Sequence, residues 1–172
     1  MHFTKLSTYL ALSIGVLLVG CGSSYDDDPI PVNTAPEAVS INLITQADIA
    51  IVDTLTGTDA DGDSLSFSVA SAPTRGTLTL DADGSFTYQP NATVTGNDSF
   101  SFTVLDVSTQ YASASDTGTV NITIENQIVS FNDYSRSAFA QNESDTPLPT
   151  NGREFTQDVI GANAYDDLLV AP

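Results

Sequence analysis

Between residues 38 and 124, apolar residues recur at every second position in short runs, each broken by Gly, Asp, Asn or Pro. The clearest are LSFSV at 65–69, LTL at 78–80, FTY at 86–88, FSFTV at 100–104 and VNITI at 120–124; weaker versions occupy 39–44 and 49–55. Side chains alternate across a strand, so a run of this kind buries one face and wets the other. Ser and Thr fill the intervening positions, as suits a solvent-facing sheet surface. DADG at 81–84 joins two runs and predicts a tight turn, with Gly or Asp taking the positive-φ positions. No part of this region keeps a helical period. About seven strands in about ninety residues, each with one apolar face, predict an all-β, two-sheet antiparallel β-sandwich. Phe67, Phe86, Tyr88, Phe100 and Phe102 fall on the apolar positions and are expected to fill its core. A domain of that size buries enough surface to fold without disulfides, and a chain with a single cysteine has none to make.

Charge narrows the functions open to such a domain. The chain has 22 acidic and 4 basic residues, a formal net charge of −18. That surface repels nucleic acid phosphates and anionic lipid headgroups, so no nucleic acid partner is expected, and it attracts divalent cations. The single histidine, His2, lies at the extreme amino terminus, and tryptophan is absent. Beyond residue 21 there is no histidine, lysine or cysteine, so no Ser-His or Cys-His pair, Schiff base or zinc cluster can be assembled there. Paired carboxylates alone can hydrolyse glycosides. Here, however, the four glutamates Glu37, Glu125, Glu143 and Glu154 are scattered, and no aromatic sugar platform accompanies them. An enzyme is not expected.

The amino terminus says where the domain goes. After Lys5, an apolar run covers about residues 9–19, the ~7–15 residue length of a secretory signal core and short of the ~20 residues a membrane span needs. The run ends in Leu18-Val19-Gly20-Cys21, which resembles the lipobox of bacterial lipoproteins. That resemblance implies a signal peptide over 1–20, cleavage before Cys21, covalent lipid on the Cys21 sulfur and acylation of the new amino terminus. Two or three acyl chains attach a protein stably where one does so only marginally. Gly22 rather than Asp follows the cysteine, which by the same resemblance directs a lipoprotein to the outer membrane of the bacterial envelope, on its periplasmic or surface face. Residues 21–35 include Asp26-Asp27-Asp28-Pro29 and are too polar and proline-broken to fold, so they read as an acidic flexible tether.

Five short words occur in order through the β region: NTAP at 33–36, GTDADGDSL at 57–65, RGTL at 75–78, DGSFTYQP at 83–90, and GNDSF at 96–100 leading to Leu105-Asp106. Together they resemble the cadherin-like, VCBS-type immunoglobulin-like repeats of bacterial surface adhesins. The resemblance implies an immunoglobulin/cadherin-like sandwich at 36–126 and, as function, adhesion or protein or polysaccharide interaction at the cell surface. Those repeats usually stand in tandem arrays; this chain carries one copy.

Asp59-Ala-Asp61-Gly-Asp63 is the sharpest chemical feature of the region. Calcium takes ~6–8 oxygen ligands, and alternating aspartates in one loop can turn several carboxylates toward one point. The loop is no EF-hand: Ser64 and Ala70 stand where that motif needs Gly and Glu. In cadherin-like modules calcium sits at a module end, and the resemblance adds Asp106 to Asp59, Asp61 and Asp63 as a candidate calcium set. A second reading of the same loop is a turn whose aspartates cap backbone amides.

Past residue 126 the pattern dissolves. Residues 127–172 mix polar residues with isolated apolars around Pro147, Pro149 and Asn151-Gly152 and are expected to form an irregular or disordered tail. A strand at 128–131 and a short helix at 154–160 are its only candidate elements. Two functions follow: a lipid-anchored surface module that binds through its sandwich, or a spacer lipoprotein that presents its tail to a partner. Both require the anchor. Cys21→Ser should lose membrane attachment, measured by detergent partition, and the wild-type protein should carry acyl mass; a mutant that partitions like wild type would refute the lipobox reading.

Overall fold

Each alternating run forms a strand in the computed structural model, which describes residues 32–107, 112–159, 161 and 163–166. The expected signal peptide, Cys21 and the expected tether up to residue 31 lie outside the described residues. The strands, in chain order, are β1 (Glu37–Ala38), β2 (Ile41–Gln46), β3 (Ile51–Thr54), β4 (Gly57–Thr58), β5 (Ser64–Ser71), β6 (Gly76–Leu80), β7 (Ser85–Pro90), β8 (Gly96–Val107) and β9 (Ser115–Glu125). Two main sheets face each other, one of four strands in the order β2-β9-β8-β5 and one of three in the order β3-β7-β6. Together they supply the seven strands of the expected sandwich; β1 and β4 make a small additional ladder.

One pairing departs from the antiparallel expectation. β2 runs parallel to β9, with Ile41 beside Val120 and Gln46 beside Glu125. Apolar alternation fixes which face a strand buries but carries no sign for its direction, so the sequence left this undetermined. The register defines two poles of the sandwich. Ser115 lies beside Leu105 at one, and Gly96 beside Ile124 at the other.

Between the sheets the predicted aromatics meet. Phe86, Tyr88, Phe100 and Phe102 are at most 3 % exposed and Phe67 is 9 % exposed, packed with Leu55, Val104, Val120, Ile122 and Ile124. Burying each large side chain contributes about 1.5–3 kcal/mol. Phe86 and Phe100 meet edge to face, centroids 5.5 Å apart. The 81–84 turn forms as expected, with Gly84 at φ 92° and its amide donating to the Asp81 carbonyl at 3.0 Å.

Residues 127–172 are irregular over most of their described length, as expected, yet they carry three short elements. These are β10 (Gln127–Ser130), α1 (Phe131–Phe139) and β11 (Arg153–Thr156), with β10 parallel to β11. The helix expected at 154–160 is corrected: Arg153–Thr156 is a strand, and the helix lies earlier, capped by Ser130, whose side chain accepts from the Asp133 amide at 3.0 Å. Strand geometry sets Phe155 between Phe131 and Tyr134, with ring centroids 6.1 and 4.8 Å away.

Gly118 pairs with Phe102 across β8 and β9, and a Cβ there would collide with the Phe102 ring. Gly118→Ala should therefore cost about 1–3 kcal/mol through overpacking. For a domain near this size that is a fall of at least about 4 °C in melting temperature. A melting temperature equal to wild type would show that the ring has room to yield.

Candidate functional site

The short β4 and β5 are joined by residues 59–63, and this loop is organised by its own carboxylates. Asp59 Oδ1 accepts from the amides of Asp61 at 2.9 Å and Asp63 at 3.1 Å, while Gly62 at φ 78° turns the chain. Asp61 Oδ2 accepts from the Thr34 amide at 2.6 Å. Part of the loop's carboxylate capacity thus caps backbone amides, as the second reading of the sequence holds. β5 pairs with β8 so that Ser64 lies beside Val107, which brings the loop to the same pole as Asp106.

Asp106 is fully buried. Inward-facing positions of β8 recur at 98, 100, 102, 104 and 106, and Asp106 is the last of them. Its Oδ2 accepts from Asn33 Nδ2 at 2.6 Å and its Oδ1 from the Ala114 amide at 2.8 Å, both neutral donors. Asn33 Nδ2 also donates to the Ala112 carbonyl at 3.1 Å. Among the described residues, three buried oxygens at this pole have no hydrogen-bond partner: Asp59 Oδ2, Asp63 Oδ2 and Asn33 Oδ1. A buried polar atom left unpaired costs about 1–3 kcal/mol, and more when charged. Among the described residues no three His, Cys, Asp or Glu side chains are gathered closely enough to hold a metal ion by themselves. The unpaired set, two carboxylate oxygens and an amide oxygen, is nevertheless hard-oxygen chemistry of the kind calcium accepts.

The structure thus brings Asp59, Asp61, Asp63 and Asp106 to one pole and adds Asn33, which sequence reasoning did not assign. Its signal was present, since Asn33 opens the NTAP word. Asn33 and Thr34 also extend the sandwich's bonding network into the last residues of the expected tether.

A second carboxylate was missed altogether. Asp98, at the opposite end of β8 and 8 % exposed, accepts from the Thr74 amide at 3.0 Å, Thr74 Oγ1 at 3.2 Å, the Arg75 amide at 2.9 Å, the Ser99 amide at 2.9 Å and the Tyr88 hydroxyl at 2.7 Å. Burial pushes its carboxyl up, but the hydrogen bonds from Thr74, Tyr88, Arg75 and Ser99 outweigh burial and hold it below the usual range. Burial, then the bond to Asp98, raises the Tyr88 phenol. An open cavity of about 450 Å³ beside Asp98 is lined by Thr74, Asn97, Ser99, Asn121, Ile122 and Thr123. The Asp98 oxygens are committed to their donors, so this carboxylate fastens the β6–β7 hairpin to β8.

The sequence matches the bacterial cadherin-like domain over residues 31–126, more than half of the chain. The chain belongs to that family. No curated protein sequence matches it. Among solved structures, it is similar to human protocadherin-24 EC1-2, with TM-score 0.42, 14 % identity, and 58 % of this chain and 52 % of that one covered. It is also similar to a nucleoside hydrolase-related protein from Saccharophagus degradans associated with carbohydrate metabolism, with TM-score 0.42, 17 % identity and 54 % of this chain covered. A third is the endo-fucoidan hydrolase MfFcnA4 of glycoside hydrolase family 107, with TM-score 0.40, 25 % identity and 54 % covered. The chain spans 26 % of the second and 14 % of the third. At these TM-scores the likenesses carry no weight for activity.

Asp98 makes acid stability testable. Its folded carboxyl titrates below the unfolded value of about 3.9, so its stabilisation is present above that pH and is lost as pH falls through the lower folded value. Asp98→Asn does not titrate. The gap in melting temperature between wild type and Asp98→Asn should be widest at pH 5–7 and narrow below about pH 4. A gap constant down to pH 2 would exclude this role.

Proposed function

We propose that this is a lipid-anchored protein of the bacterial envelope whose single cadherin-like domain serves adhesion or protein or glycan interaction, and that calcium at the Asp106 pole stabilises it. The family is one of interaction modules, and the pole supplies the more specific support. The observation that supports the calcium reading is the buried Asp106 carboxylate, held among the described residues by the neutral Asn33 and Ala114 donors, at the same pole as unpartnered oxygens of Asp59, Asp63 and Asn33. A buried negative charge is costly unless a positive partner offsets it. In a chain of net charge −18, a divalent cation is the economical partner. Asn33, Asp59, Asp61, Asp63 and Asp106 are the groups that would close on the ion, since no three of the carboxylates stand close enough to hold it unaided. Its effect would be to tie the chain at Asn33 to the 59–63 loop and to the end of β8. The lipid reading rests on the Cys21 lipobox and is independent of the ion.

Extracellular modules bind calcium with Kd of about 10⁻⁴–10⁻³ M, so millimolar calcium is the range to test. Ion at tenfold over Kd adds about 1.4 kcal/mol, which raises the melting temperature of a domain this size by about 5–10 °C. Magnesium should do less, because it holds its waters and demands octahedral geometry. Asp106→Asn and Asp63→Asn should each remove the calcium-specific rise. Equal rises in calcium and in sodium chloride of matched ionic strength would show that the pole is screened and not occupied.

A further inference from the structure

At the pole opposite Asp106, the two non-glycine residues with positive φ among the described residues come together. They are Asp48 at φ 65°, in the β2–β3 turn, and Thr93 at φ 60°, between β7 and β8. Positive φ costs a side-chain-bearing residue energy and persists only where its surroundings enforce it. Here the Thr93 amide donates to Asp48 Oδ1 at 2.9 Å, so each strained residue holds the other. The second oxygen of the same carboxylate faces the tail: Arg153 Nη2 donates to Asp48 Oδ2 at 3.0 Å, forming an ion pair whose side chains are 17 % and 28 % exposed. Next to it, Gly152 at φ 70° is pressed so close that a Cβ would lie 2.6 Å from the Thr93 carbonyl oxygen and 3.1 Å from the buried Ala47. The Gly152 carbonyl accepts from the Gln127 amide at 2.8 Å, which ties the same point to the first residue of β10.

The elements beyond this point have little to hold them otherwise. None of the described residues after Glu125 is fully buried. β10 and β11 form only a two-stranded parallel sheet, an arrangement that ordinarily needs both faces covered and more strands to be stable. The aromatic contacts of Phe155 with Phe131 and Tyr134 cover one side.

We propose that Asp48 and Thr93 form a preformed socket for Gly152 and Arg153, and that this joint keeps β10, α1 and β11 folded against the cadherin-like domain. The dependence runs one way. The domain has its own core and stands without the joint, whereas the 127–156 unit stands only while the joint is closed. The joint is thus a two-state element that orders or releases β10, α1 and β11.

The test uses the full-length protein. Asp48→Asn keeps the oxygen that receives the Thr93 amide and suits positive φ, but it removes the charge that faces Arg153. The chain has four basic residues, Lys5, Arg75, Arg136 and Arg153, so every tryptic cut is assignable by mass. Asp48→Asn should speed cleavage after Arg153 by about tenfold or more and raise hydrogen exchange across β10 and β11. Cleavage after Arg75, within the domain, and the domain's melting temperature should stay at wild-type values. Gly152→Ala, which keeps both charges and blocks the socket sterically, should give the same pattern. The joint is refuted if neither variant changes cleavage or exchange in 127–156. It is equally refuted if Asp48→Asn accelerates cleavage at Arg75 and Arg153 alike, because Asp48 would then be holding the domain itself.

Discussion

Most of this fold hangs on one face of β8. Its inward positions run Asp98, Phe100, Phe102, Val104 and Asp106, with the apolar three in the middle of the core and a carboxylate at each end. The middle residues bring the two sheets together by burial, which has no direction. The end residues give direction: Asp98 gathers the backbone before β6 and the Tyr88 hydroxyl of β7, and Asp106 gathers Asn33 and the approach to β9. Neither carboxylate is at the surface, so each must be fully served by its donors or impose a heavy cost. Asp98 has five donor groups and Asp106 two, and that contrast marks one end as fastening and the other as chemically unfinished.

The acidity of the chain acquires a structural sense in this light. Of the described cations, Arg153 pairs with Asp48, Arg75 donates to the Thr95 carbonyl and Arg136 donates to Asn132 and the Ala164 carbonyl, while Asp106 accepts from the neutral Asn33 and the Ala114 amide. Repulsion among the loop aspartates is held in check there by amide donors from Asp61, Asp63 and Thr34. The domain thus has one end where buried carboxylates gather and another where Arg153 pairs with Asp48.

Much of the domain was legible because alternation is a strong code. The seven runs named from the sequence are the seven strands of the two sheets, and the five aromatics assigned to the core are there. The same parity places Asp98 and Asp106 inward, yet Asp98 went unread because all its partners but the adjacent Ser99 lie 10 to 24 residues away along the chain. The parallel β2–β9 pair was invisible for the reason that alternation has no polarity. In the tail, the sequence suggested a short helix at 154–160, but Phe155 lies in a strand with its ring against those of Phe131 and Tyr134 of α1. The true helix carried its own mark, Ser130 three residues before Asp133, a cap signature that needs no tertiary information.

The β2–β9 pair has a mechanical meaning. Its strands are parallel, one near the start of the domain and the other at its end, so the chain enters and leaves at opposite poles about 35 Å apart along β9. A pull on the two ends therefore acts along both strands in opposite senses. The six residue pairs from Ile41↔Val120 to Gln46↔Glu125 take the load together, in shear, instead of opening one after another like a zip. A domain wired this way resists tension along its length far better than tension across it.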